Sequence, residues 1–358
     1  MRSGTRTRIV PHRDYVLTTR PGSYKTHVSP LDSCILPSYP AVYLFFFCPL
    51  CRVILVPAMH IRSTIVAGLG LLVSATAGAH LPLSSRSHGK PRCLVEENLP
   101  QKRGGRRLLD YVPTAETIVV KTYVHIIARD KTVAGGWVTQ ESLDAQMRLL
   151  NTTYAGTGFQ FDWMRNETTR TVNTAWTQFP PDWNSYFPEV SAWEVNWKRQ
   201  LRKGGDDRRV LNLYFNVGLP AAGVAVLIDQ QGELDDFGIF DGAIIDPSTM
   251  PGGPDPLINE GKTVTHEVGH WVGLYHTFQG GCADMDLVQD TPPARAPAGG
   301  FSFCDRPYNT CIDSLGPNGS DAPDPNDNFM SYSTDPCMAR FTPGQIARMH
   351  QIWDTYRA

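Results

Sequence analysis

Residues 266–276 read His-Glu-Val-Gly-His-Trp-Val-Gly-Leu-Tyr-His, placing three imidazoles and one carboxylate at spacings that suit a metal centre. On a helix, His266 and His270 are four residues apart and project from one face, so both can reach one ion. Glu267 sits beside the first ligand, where its carboxylate can accept a proton from water at the metal. Gly273 tolerates positive φ, which lets the helix end and the chain turn back. That turn can return His276 as a third ligand. Three protein ligands leave one position open, the arrangement of a catalytic zinc and not of a structural one. The chemistry implied is hydrolysis by an activated water with a carboxylate base. A buried helix whose histidines are merely hydrogen-bonded would explain neither the triplet nor Glu267.

Other elements must hold this run in place. Val264, Val268, Trp271 and Val272 recur at helical spacing, so Trp271 reads as a packing residue. Downstream, Asn328-Phe329-Met330-Ser331-Tyr332-Ser333 offers a flexible thioether that can floor a metal site. Tyr332 could donate a hydrogen bond to the oxyanion of a tetrahedral intermediate, or simply be a core or rim aromatic. Cys282, Cys304, Cys311 and Cys337 all follow the histidine run. An even set reads as disulfides with three possible pairings, and the absence of C-x-x-C spacing among them argues against a second zinc site.

These stretches resemble the pappalysin-type metzincins, and within them the secreted fungal extracellular metalloproteases. The resemblance is carried by GKTVTHEVGHWVGLYHTFQGGC (261–282), QDTPP (289–293), NFMSYS (328–333) and DPCMARFTPGQIARMHQIWDTYRA (335–358). It extends more weakly through TYVHIIARD (122–130) and LNLYFNVGL (211–219). It implies a zinc endopeptidase with ligands His266, His270 and His276, general base Glu267 and a Met-turn at Met330. It also implies disulfides joining Cys282 to Cys311 and Cys304 to Cys337. The implied fold is α+β: a twisted mixed sheet with a backing helix and an active-site helix over a loop-rich, disulfide-stapled lower subdomain. The chain departs from the family at Ser331, where Asp is usual, which opens the question of how the turn is hydrogen-bonded.

The N-terminal third reads differently. Met59 to Arg62, the apolar run Ser63 to Val73 and the small residues Ala75, Ala77 and Ala79 form a secretory signal over 59–79. A signal that starts at Met59 makes residues 1–58 a spurious extension; the alternative is a leader whose apolar run from Ala41 to Ala58 anchors it in a membrane. Residues 80–107, with dibasic pairs Lys102-Arg103 and Arg106-Arg107, read as a prosegment, leaving 108–358 as the catalytic domain. Cys93 could block the open metal position as a cysteine switch, or be incidental to a disordered pro-region. Residues 1–107 carry 15 Lys/Arg against 4 Asp/Glu, whereas 108–358 carry 18 against 31. An acidic body without basic clusters excludes nucleic acid as its partner. Protein or peptide substrates, a monomer and no stable membrane association are expected. Asn151, Asn166 and Asn318 begin glycosylation sequons.

Strands are expected at Val119–Ile127, Phe159–Trp163 and Val210–Val217, with an edge strand beside the cleft at Gly238–Ile245. Helices are expected at Gln140–Leu150, Val190–Leu201 and, after Thr342-Pro343, Gln345–Tyr356. Asp284, Asp286 and Asp290 could bind Ca²⁺ through oxygen, against the reading of an ordinary acidic turn. Asp335 could line the pocket beyond the scissile bond and favour basic side chains. Two rival functions are a zinc hydrolase of non-peptide amides or esters and a binding module with a vestigial site.

Overall fold

A computed structural model describes residues 116–180, 188–228, 237–283, 286–312 and 322–358. The extension 1–58, the signal 59–79, the prosegment 80–107 with Cys93, Asp284 and Asn318 lie outside the described residues.

The six strands are β1 (Ile118–Ala128), β2 (Phe159–Trp163), β3 (Thr169–Val172), β4 (Leu211–Asn216), β5 (Gly223–Ala225) and β6 (Ala243–Ile245). They form one sheet in the order β2-β1-β4-β6-β5, with β3 also on β1. The first half of β1 pairs with β2 and the second half with β3. All pairings are parallel except that of β5 with β6.

Side-chain alternation sorts the two faces. Val120, Val124 and Ile126 of β1, Leu211, Leu213 and Phe215 of β4, and Ala243 and Ile245 of β6 join one core cluster. It also contains Leu143, Met147 and Leu150 of helix α1 (Gln140–Thr153) and Val264 and Val268 of helix α4 (Lys262–Trp271). The alternate residues Ile127, Tyr214 and Ile244 pack with Trp197 and Leu201 of helix α2 (Pro188–Leu201). The sheet is therefore covered on both faces, which matches strands that are almost wholly apolar. At the end of α1, Thr153 Oγ1 bonds Thr265 Oγ1 at 2.8 Å, and Tyr154 Oη donates to the Thr265 carbonyl at 3.1 Å. These bonds seat α4 against α1.

The segment expected as an edge strand divides. Phe237–Phe240 forms a short helix, α3, and only Ala243–Ile245 is a strand, flanked by β4 and β5. The true edge is the three-residue β5. A period of two is the same for inner and outer strands, so alternation could not tell them apart.

Asn151 is corrected as a glycosylation site. Its Nδ2 donates to the carbonyls of Met147 and Phe161, and its Oδ1 accepts from Phe161 N at 2.8 Å. The side chain thus ties α1 to β2 and has no amide left for a glycan. Asn166 is exposed, as an acceptor must be.

On the α2 face, His125 is buried between Thr169 Oγ1 (2.8 Å) and Asn212 Oδ1 (3.0 Å) and stacks on Tyr214. Burial, with a smaller contribution from Lys203 and Lys198, pushes its pKa down to about 4. The unfolded chain takes up a proton near pH 6.5 that the folded chain refuses until about pH 4. This contribution is whole above pH 6.5 and is lost as pH falls to 4, about 3 kcal/mol in all. Urea unfolding at pH 7 and pH 4 is expected to show a smaller acid loss in His125→Asn than in the wild type. Equal losses would remove His125 from this role.

Candidate metal centre

Helix α4 begins after Gly261, which has φ 85° and no capping side chain, and runs for ten residues to Trp271. His266 and His270 stand one turn apart on it. Gly273 then adopts φ 95°, with its N–H on the His270 carbonyl at 2.8 Å and Leu274 N on the Gly269 carbonyl at 2.9 Å. This αL turn brings His276 back to the first two. A side chain at 273 would be strained by that φ and would strike Ile352.

The three Nε2 atoms form a nearly equilateral triangle with sides of 3.2, 3.1 and 3.1 Å. A tetrahedral zinc with Zn–N of about 2.05 Å needs N···N separations of roughly 3.3 Å, so the donor set fits such an ion. The other ring nitrogens settle the tautomers. His266 Nδ1 donates to the Phe329 carbonyl at 2.6 Å, and His270 Nδ1 to the Leu274 carbonyl at 2.7 Å. A carbonyl only accepts, so the proton is on Nδ1 and the Nε2 lone pair faces the shared centre. All three rings are buried. Burial lowers the pKa of His270 to about 4; burial and the neighbouring imidazoles push that of His276 well below its ordinary value. Neutral imidazoles at physiological pH are what metal ligation requires. Among the described residues, this is the one group of three His, Cys, Asp or Glu side chains able to hold a metal ion.

Comparison with known proteins agrees with this geometry. Residues 255–354 match the peptidase M43 family model described as pregnancy-associated plasma protein-A. An extracellular metalloprotease of Colletotrichum graminicola is 36% identical over 84% of this chain and 100% of its own length. The chain belongs to the pappalysin (M43) metalloproteases. Another extracellular metalloprotease, from Verticillium alfalfae, is 42% identical over 68% of this chain and 78% of its own. Mature mirolysin of Tannerella forsythia, solved with a cleaved peptide, shares the fold with TM-score 0.52 and 23% identity. That match covers 68% of this chain and 93% of mirolysin. This pappalysin is thus a metalloendopeptidase, and no finding favours a hydrolase of non-peptide amides or esters.

The remaining residues fall around the triad. Met330 is fully buried with its sulfur against Gly269 in the middle of α4, making the floor of the site. Its turn is held by Asn328, whose Oδ1 accepts from Met330 N at 2.8 Å and which exchanges two side-chain bonds with Gln345. Gln345 in turn completes the capping box of helix α5 (Pro343–Ile352) with Thr342. Where the family usually has Asp, Ser331 accepts from Ser333 Oγ at 3.2 Å. Tyr332 packs edge-on to His276 at 4.7 Å and to Phe278 at the same distance, while Phe278 stacks on that histidine. Disulfides join Cys282 to Cys311 and Cys304 to Cys337, each with Cα atoms 5.5 Å apart. Closing loops of 29 and 33 residues stabilises the loop-rich part by roughly 3–4 kcal/mol each.

One expectation, that of Asp335, is corrected. Asp335 is fully buried, and its Oδ2 accepts from the backbone amides of Glu260 (2.9 Å) and Lys262 (3.4 Å). A carboxylate spent on the first amide of α4 and on one just before the helix does not line a specificity pocket. The Asp286 carboxylate accepts from Val288 N and Thr291 Oγ1, and that of Asp290 from Thr342 Oγ1 and Gly344 N. Asp286 thus serves a local turn, and Asp290 ties that turn to the start of α5.

One functional neighbour escaped the sequence reading. Gly223, on the edge strand β5, lies directly against Glu267: a Cβ there would sit 2.5–2.8 Å from the Glu267 Cγ, Oε1 and Cδ atoms. A glycine inside a short apolar strand was the available signal, since it marks close approach of another group.

Proposed function

We propose that this pappalysin is a secreted, zinc-dependent endopeptidase in which His266, His270 and His276 hold the ion and Glu267 is the general base. The observation that carries the reading is the triangle of inward-facing Nε2 atoms in the tautomer that two backbone carbonyls impose. Zn²⁺ held there would supply Lewis acidity and a water acidic enough to act as nucleophile at neutral pH. Glu267, buried beside the triad, takes the proton from the attacking water and gives it to the leaving amine. Tyr332, half-buried against His276, donates a hydrogen bond to the developing oxyanion.

An extended peptide pairs with the outer edge of β5, to which no strand among the described residues is bonded. Because Gly223 of that strand abuts Glu267, the pairing delivers a backbone carbonyl to the catalytic group. One chain supplies every member of the site, in keeping with a monomer. The name "extracellular" borne by several relatives supports secretion. No helix among the described residues is long and apolar enough to cross a membrane.

Metal analysis and a peptide blocked at both ends provide the test. The purified protein should carry one zinc per chain, cleave the blocked peptide internally, stop on chelation and resume on zinc addition. A blocked peptide left intact while a simple ester is hydrolysed would overturn the reading.

A further inference from the structure

Helix α4 carries two metal ligands and the base; the Gly273 turn takes up the carbonyls of Gly269 and His270, but it leaves out the Trp271 carbonyl, and no side chain of its own caps the N-terminus. Its N-terminus follows a glycine, which has no side-chain acceptor to offer. Unpaired helix-end groups in a buried setting must find partners elsewhere.

Both sets of partners come from the last 24 residues of the chain. At the N-terminal end, Asp335 Oδ2 accepts from Glu260 N and Lys262 N, while Lys262 Nζ donates to the Asp335 carbonyl at 2.6 Å. At the C-terminal end, Arg357 donates from Nη2 (2.8 Å) and Nε (3.2 Å) to the carbonyl of Trp271, the residue after His270. The guanidinium lies over the Trp271 ring at 3.7 Å and pairs with Asp241 at 3.0 Å, and Asp241 accepts from Trp271 Nε1 at 2.9 Å. Arg348 Nε holds the Gly273 carbonyl, two residues further on, at 2.8 Å. The charges also suit the helix: a carboxylate at its positive end and a guanidinium at its negative end, both buried.

We propose that Asp335 and Arg357 are positioning residues that clamp α4 from its two ends and so set where His266, His270 and Glu267 stand. Asp335 lies between the Met330 turn and Cys337, whose disulfide reaches Cys304, so it also ties the loop-rich part to the helix. Arg357 follows α5, so it ties the segment after that helix to the end of α4. Releasing either end lets the helix shift along or tilt about its axis. The three-nitrogen triangle, with sides near 3.1 Å, has little tolerance for such movement.

The inference rests on the metal reading of the triad, and cobalt substitution tests the two separately. Asp335→Asn keeps the volume but loses the charge. Arg357→Lys keeps the charge, but one ammonium cannot reach Trp271, Arg208 and both Asp241 oxygens together. Exposed Arg340→Ala serves as the control from the same segment. The Co²⁺-loaded variants are expected to show altered visible ligand-field bands, weaker metal retention against a chelator, and kcat lowered about tenfold or more with KM little changed. The control should match the wild type in all three. Variants with a lower Tm but wild-type bands and wild-type kcat per loaded molecule would show a merely structural role and overturn the proposal. Should either conservative variant fail to fold, Asp241→Asn, which leaves Arg357 on the Trp271 carbonyl but removes its counter-charge, is read by the same bands; unchanged bands and kcat there overturn the Arg357 half, and shifted bands support it. A folded wild type that takes up no cobalt would overturn the metal reading itself, and this inference with it.

Discussion

Glu267→Gln is expected to keep its metal and its fold while losing activity by roughly 10²–10⁴-fold, the range spanned by removal of a positioned general base. Glutamine has nearly the shape of glutamate and the side chain is fully buried, so packing changes little. What is lost is the carboxylate's basicity, since an amide oxygen accepts a hydrogen bond but does not take a proton from water. Because the three imidazoles, and not the carboxylate, form the metal triangle, zinc content should stay at one per chain. Activity within tenfold of the wild type at full zinc occupancy would remove Glu267 from the role of base.

Gly223→Ala is expected to produce a second large loss by a different route. The added methyl would sit 2.5–2.8 Å from three atoms of Glu267, where carbon contacts normally exceed about 3.4 Å. Either the carboxylate moves by most of an ångström or β5 moves away from α4. A displacement of that size at a reacting group costs on the order of 10²-fold in rate. The loss should fall on kcat, with zinc content unchanged, because Gly223 abuts the base and not the ligands. Gly238→Ala, where nothing lies within 4 Å of the new methyl, is the matched control. A Gly223→Ala enzyme as fast as that control would show that the carboxylate needs no such clearance. The two variants together separate loss of the base from its misplacement.

Much of the site was legible because its logic is local. The four-residue step from His266 to His270 and the glycine turn to His276 are properties of one short segment, and the structure reproduces each of them. The start of α5 after Thr342-Pro343 was legible for the same reason, and a cap of the same local kind stands before α1. Thr139 accepts from Ser142 N, and Thr342 with Gln345 forms a capping box, in both cases within three residues. The edge of the sheet was not legible. β5 and β6 are each three residues long, too short for a period to say which of them lies at the edge.

Asp335 shows the limit most clearly. An acidic residue shortly after the Met-turn looks exposed in sequence, yet it is buried because the uncapped end of a helix about 73 residues away needs an acceptor. Arg357 likewise looks like an ordinary charged tail residue until Asp241 and the Trp271 carbonyl are brought around it.

By itself, then, the sequence determined which three imidazoles converge, which carboxylate lies beside them and the kind of chemistry, since helical periodicity and a single turn decide how those groups meet. Tertiary structure alone decided which strand forms the edge next to Glu267, which asparagine is committed to the backbone, and which remote charges hold the two ends of the metal helix. Each depends on segments that meet only when the chain folds: β5 with α4, α1 with β2, and charges 75 and 86 residues from the helix ends they hold.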